Sequence, residues 1–143
     1  MTPQVLPIVA IIVMNKSALL LGQDSISKQW TLPKAEISFG QPTQAVAQKA
    51  VFETTGIAVT IGGSIFVSED IKPDHHYVVV VAIAQPIGKE GNIDPIPMPG
   101  VFSDVKWVDF RDLGEYQETT DDLTADAIMK LGSYLQGKAR GAM

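Results

Sequence analysis

The sequence predicts an α/β fold, a mixed β-sheet sandwiched between helices, built as a single domain over residues 1–143. Three observations point there. Residues 8–13 (IVAIIV) and 77–84 (YVVVVAIA) are unbroken, mostly β-branched apolar runs, and such runs read as strands buried on both faces. Two segments carry helical periodicity, and two helices are the simplest cover for both faces of such strands. The length suits one domain, and 45% apolar residues suffice for its core.

The first run is followed by a turn at Asn15-Lys16-Ser17 and a second strand over 17–21. Residues 22–29 read as a polar loop. Trp30-Thr31-Leu32-Pro33 starts an extended piece, because a residue before proline is pushed away from helical geometry. An inner helix spans about 42–55. Pro42 suits the first helical position, where a missing N–H costs nothing, and Gly56 suits the left-handed position just past the end. Ala47, Ala50, Val51 and Thr54 share one face. Residues 57–61 and 64–67 are strand-like, with a break at Gly62-Gly63, and residues 77–84 form the strongest strand. Residues 85–100, holding Pro86, Pro95, Pro97 and Pro99, make one long loop, and 105–108 a short strand carrying Trp107. Thr119 or Thr120 then caps a final helix, with Asp121 and Asp122 in the first turn, where the helix dipole favours anions. Leu123, Ala127, Leu131, Tyr134 and Leu135 form its apolar stripe, and Gly137 ends it.

Composition narrows the function. Eleven Lys and Arg against 16 Asp and Glu leave a net charge of −5. That opposes a general nucleic-acid binder, which needs a basic footprint to release counterions. With no cysteine, disulfide scaffolds and thiolate metal sites are excluded. The two histidines, His75 and His76, are adjacent, so on an extended chain they point to opposite sides and do not share a metal. The apolar stretch over 5–14 is interrupted by Pro7 and falls well short of the about 20 residues a spanning helix needs. Nothing before Lys16 is positively charged, as a signal peptide would require. A soluble cytoplasmic protein is the expectation.

Residues 30–57 read WTLPKAEISFGQPTQAVAQKAVFETTGI. This segment resembles the box of the Nudix hydrolases, whose signature is G-x5-E-x7-R-E-U-x-E-E-x-G-U, with U a bulky aliphatic. With Gly56-Ile57 as the closing pair, every spacing fits without a gap. The Trp-x-Leu-Pro lead-in, Phe39-Gly40 and Val51 match as well. So do the apolar strand pair before the box, the His-Tyr-Val strand after it, and Trp107-Val108 followed by Phe110 and Leu113. The order of elements is similar to the small MutT-like nucleoside triphosphate pyrophosphohydrolases of that family. The resemblance implies the Nudix fold and a cleft for a nucleoside di- or triphosphate or related pyrophosphate. It also implies Mg²⁺ or Mn²⁺, attack of water on a phosphoanhydride, and a homodimer.

The box is degenerate. Its opening glycine falls on Ala35 and the glycine usually before it on Lys34; its first glutamate falls on Gln41. The arginine falls on Lys49, which keeps the charge but loses the planar fork. The next glutamate falls on Ala50; of the final pair, Glu53 survives and the other falls on Thr54. Carboxylates at i, i+3 and i+4 stand together on one side of a helix, where they hold Mg²⁺ against phosphate. With Ala50, Glu53 and Thr54 one formal charge remains where three stood, so metal binding there is expected to be weak or absent and hydrolysis weakened.

Glu53 is the candidate catalytic residue and metal ligand, against the plain alternative of an exposed glutamate one turn after Lys49. Gln41 either orients a water or simply precedes Pro42 and caps the helix. Lys34 and Lys49 either offset phosphate charge or are solvated surface lysines. Trp30 and Phe39 flank the box and either could stack on a base; for Phe39 core packing is the stronger reading, and for Trp30 the two readings balance. Among acids outside the box, Glu69, Asp70 and Asp74 fall in the loop before the 77–84 strand, and Asp94 and Asp104 in or near the proline-rich loop. Asp104, just ahead of the Trp107 strand, is the preferred second metal ligand. Beside the weakened enzyme stands a reading of a different class: a non-catalytic descendant that senses a nucleotide or serves as a protein-interaction module.

Overall fold

An 11-residue strand that is buried along most of its length has to be covered on both faces. Val5–Asn15 (β1) is covered in this way. The computed structural model describes residues 4–87, 94–116 and 118–141, with side chains through residue 137. After β1 come β2 (Ala18–Asp24), β3 (Trp30–Thr31), β4 (Lys34–Glu36), α1 (Thr43–Thr55), β5 (Val59–Lys72) and β6 (His75–Pro86). Then follow β7 (Phe102–Asp109), a 3-10 segment (Phe110–Tyr116) and α2 (Asp122–Gly141).

The strands run in the order β3-β2-β1-β6-β5, with β4 also paired to β1 and β7 to β2. β1 and β6 are parallel, from Val5 opposite His76 to Val13 opposite Ala84; the other pairings are antiparallel. Alternation along β1 divides the core in two. Val9, Ile11 and Val13 pack with Val46, Ala47, Ala50 and Val51 of α1. Ile8, Ala10 and Ile12 pack with Leu123, Ala127 and Leu131 of α2. This is the α/β sandwich the sequence predicts.

Several local expectations are corrected. Pro42 stands at the cap with extended backbone (φ −63°, ψ 137°), and the helix begins at Thr43. Gly56 closes it as expected, in the left-handed region at φ 74°, with its N–H on the Phe52 carbonyl. The buried face carries Val46 and Thr55, and not Thr54. Gly62-Gly63 does not break β5; the strand runs through with register shifts between Ile61 and Gly63 and between Ser64 and Phe66, because glycine accommodates a bulge without ending the ladder. Glu69 and Asp70 accordingly lie on β5 and not in a loop. The histidines do point apart: His75 meets Asp70 at 3.0 Å and His76 meets Glu69 at 2.7 Å. Gln85 and Pro86 belong to β6, and residues 88–93 of the expected loop lie outside the described residues. The cap of α2 is Asp121, whose Oδ1 accepts the Thr124 N–H at 2.8 Å, and the helix continues past Gly137.

Residues 22–24 extend β2 where a loop is expected. Gly22 is there because a Cβ on it would meet the Phe102 ring at 2.5 Å. Phe102 is itself 5% exposed and cannot swing out cheaply. Gly22→Ala is therefore expected to destabilise the fold by about 2 kcal/mol, lowering Tm by about 6 °C, and Phe102→Leu should recover part of that loss in a double-mutant melt.

At the end of β7, Asp109 holds the chain to the β1–β2 turn. Arg111 donates to it through its side chain and its backbone N–H, and the Ser17 hydroxyl bonds it at 2.9 Å. These bonds, Arg111 foremost, lower its pKa to about 2. A depressed carboxyl stabilises the fold above its unfolded value of 3.8 and loses that contribution as pH falls toward about 2. Carboxyl NMR titration should show the Asp109 pKa rising toward 3.8 in Arg111→Ala.

Candidate functional site

The site is set by where β1 delivers the chain. β4 lies antiparallel on β1, with Ala35 opposite Val9, and Ile37 follows it with its N–H on the Pro7 carbonyl at 2.9 Å. A tight turn, closed by the Gln41 N–H on the Ser38 carbonyl at 3.1 Å, then leads into α1. Gly40 takes φ 82° in that turn, a conformation that side chains resist. Between β4, this turn and one flank of α1, including the edge of its buried face at Val46 and Ala50, lies a cleft of about 480 Å³. Gln41, Lys49 and Glu53 all line it, joined by Glu36 of β4.

Within the cleft Lys49 and Glu53 approach to 3.9 Å across one helical turn, with side chains 67% and 53% exposed. An ion pair so open to water is worth a few tenths of a kcal/mol, so both groups remain available to a ligand. Ala50 carries no donor atom. The Thr54 hydroxyl donates to the Ala50 carbonyl at 2.6 Å, which spends its proton inside the helix. The formal charge of the cleft is −1, from Glu36 and Glu53 against Lys49.

The other sequence candidates are placed elsewhere. Lys34 reaches across to α2 and pairs with Asp121 at 3.3 Å. It lines a separate cavity of about 230 Å³ with Ile8, Ala35, Glu36, Tyr77 and Leu123. Trp30 is 7% exposed and packs in the α2-side core. Tyr116 stands edge-on to it at 5.6 Å and Lys106 covers it at 5.1 Å, so a base could reach the ring only by displacing them. Phe39 is the reverse: expected in the core, it is fully exposed in the turn. Asp104 sits on β7 opposite Gln23, where its Oδ1 accepts the next backbone N–H, and it does not line the cleft. Asp74 contacts His75 at 3.1 Å, and Asp70 likewise bonds His75.

Glu36 is the cleft residue that sequence reasoning missed. It falls outside every acidic position of the box. No local signal marks it; its place comes from the pairing of β4 with β1, which sets Glu36 opposite Ile8.

The donor set tests what cation the cleft fits. Among the described residues, no three of His, Cys, Asp and Glu come together to hold a metal ion. Two carboxylates do not fit an ion held by the protein alone. They fit one shared with a phosphate chain, because Mg²⁺ commonly takes one or two carboxylates and completes its shell with phosphate and water.

A mixed sheet between two helices, with a polar cleft where a loop meets α1, defines a class, and the comparisons give the family. The NUDIX domain family model matches residues 5–130, and the chain belongs to the Nudix family. No curated protein matches it. Among solved structures it is similar to the MutT protein of Methanosarcina mazei Go1, with 16% identity, 94% of this chain and 97% of that one covered, and a TM-score of 0.78. It is similar to a NUDIX-family hydrolase of Clostridium perfringens at 15% identity, covering 90% and 97%, with a TM-score of 0.74. A third likeness is to a bifunctional NMN adenylyltransferase/ADP ribose pyrophosphatase of Francisella tularensis, complexed with AMP and a Mn ion. Identity there is 13%, with 93% of this chain and 42% of that one covered, and a TM-score of 0.76. Identities this low establish the shared fold and nothing finer.

Because Glu53 and Lys49 are solvent-facing, neither should matter to folding. Glu53→Gln and Lys49→Ala are each expected to keep Tm within about 2 °C of the parent in a thermal melt.

Proposed function

We propose that this Nudix protein binds a nucleoside di- or triphosphate, or a related pyrophosphate, in the α1 cleft, and that its phosphoanhydride hydrolysis is weak. The observation carrying the reading is the cleft itself: Gln41, Lys49 and Glu53 converge there with Glu36, while the Ala50 and Thr54 positions offer no carboxylate. A net charge of −1 repels a bare polyphosphate and suits one that brings a divalent cation. Such a cation, Mg²⁺ or Mn²⁺, would neutralise phosphate charge and acidify its bound water. Glu36 and Glu53 would hold it, Lys49 would offset a phosphate oxygen, and the Gln41 amide would orient water at the cleft rim.

Lys34, Trp30 and Asp104 have no part in this reading, since the first is paired to Asp121, the second is buried, and the third lies off the cleft. The three non-acidic box positions also support a second reading, a sensor that binds nucleotide without turnover. Among the described residues no helix is long and apolar enough to cross a membrane. A cytoplasmic location and a homodimer complete the proposal, to be checked by fractionation and sedimentation.

The test is a panel of nucleotides and sugar nucleotides with Mg²⁺ and Mn²⁺, read by thermal shift and by released phosphate. At about 100 times its Kd, the bound nucleotide should add about 2.7 kcal/mol of stability and raise Tm by about 8 °C. Turnover should be slow and should fall about 100-fold in Glu53→Gln. Stabilisation with no turnover selects the sensor. Rapid turnover that survives Glu53→Gln, or no stabilisation by any member of the panel, contradicts the proposal.

A further inference from the structure

Phe39 is an aromatic ring left wholly in water, 106% exposed relative to a reference chain. Burying a phenylalanine is worth roughly 1.5–3 kcal/mol, so an exposed one on an ordered turn goes unused by the fold. The turn is fixed on both sides. Ile37 packs against the α1-side core with its N–H on Pro7, and the Gln41 N–H closes on Ser38. Ser38, Gly40 and Gln41 line the cleft and Phe39 does not, so Phe39 sits beside the cleft, one residue from cleft-lining groups on either side, with its ring in water. The two tryptophans offer no substitute there. Trp30 is covered by Tyr116 and Lys106, and Trp107 packs against the α1-side core.

We infer that Phe39 is a specificity-determining residue, the platform on which the base of a nucleotide stacks while its phosphate chain occupies the cleft. The inference rests on the phosphate-binding reading of that cleft and names the ligand class more narrowly. The ligand carries a planar aromatic base about one nucleoside's length from its phosphates, so inorganic polyphosphate and non-aromatic pyrophosphates are poorer ligands. A single ring face gives stacking without hydrogen-bond readout, so purine and pyrimidine nucleotides are separated by stacking area more than by edge chemistry.

The experiment compares ATP, CTP and inorganic tripolyphosphate, each with Mg²⁺, by calorimetry on the parent chain, Phe39→Ala and Phe39→Trp. The expected result is that the ratio of ATP to tripolyphosphate affinity falls about tenfold in Phe39→Ala and is kept or raised in Phe39→Trp, whose indole fluorescence is quenched by ATP. Because the ring touches nothing in the core, both variants should melt with the parent. If the parent binds tripolyphosphate but the ratio is unchanged in Phe39→Ala, the stacking role is overturned and the phosphate cleft stands. If Phe39→Ala alters only self-association, the ring belongs to a protein contact and the inference is overturned. If the parent binds neither ATP nor tripolyphosphate, the cleft reading falls, and the stacking role with it.

Discussion

A strand whose central residues, Ile8 to Val13, are all buried cannot sit at the edge of a sheet or on its surface. β1 resolves that by giving one face to each helix, Val9, Ile11 and Val13 to α1 and Ile8, Ala10 and Ile12 to α2, and its backbone to β6 and β4. Once it is placed, the cleft follows. β4 is held on β1, the short turn after β4 must climb to α1, and α1 must lie with its Val46–Val51 face down on β1. One flank of α1 then faces the turn, and Gln41, Lys49 and Glu53 meet there whatever chemistry they carry. The geometry of the site is thus a product of apolar packing.

That separation leaves the polar residues of the cleft free to vary without disturbing the sheet and helix that position them. Ala50 is 6% exposed and contributes to the α1-side core. The Thr54 hydroxyl is bonded back into the helix. Both residues serve the packing and hydrogen bonding of α1. The cleft itself presents two carboxylates, one lysine and an amide, and the proposed shared cation follows from that sparse set of oxygen ligands.

The parts of this molecule legible in the sequence are those governed by short-range rules. The 8–13 run became a strand buried on both faces, the 77–84 run a strand of mixed buried and half-buried residues, and Gly56 ended α1 in the left-handed region. The gapless spacing from Trp30 to Ile57 brought Gln41, Lys49 and Glu53 into one cleft. What depended on distant partners was not legible. Lys34 was drawn away by Asp121, a residue 87 positions later. Trp30 was claimed by Tyr116 and Lys106, while Phe39, of similar promise, had no neighbour to pack on. Gly62-Gly63 reads as a break until β6 is there to carry the ladder past a bulge. Glu36 is an unremarked acid in the sequence and becomes a cleft residue only through the pairing of β4 with β1.

The most direct measurement is a calorimetric titration of Mg²⁺ and Mn²⁺ into the free protein and into its nucleotide complex. A helix stripped to one box carboxylate predicts no saturable binding to the free chain below about millimolar metal and clear binding once nucleotide is present. Saturable binding by the free chain at micromolar metal, abolished in Glu53→Gln, would contradict it, for then a complete ligand set would stand on α1 after all.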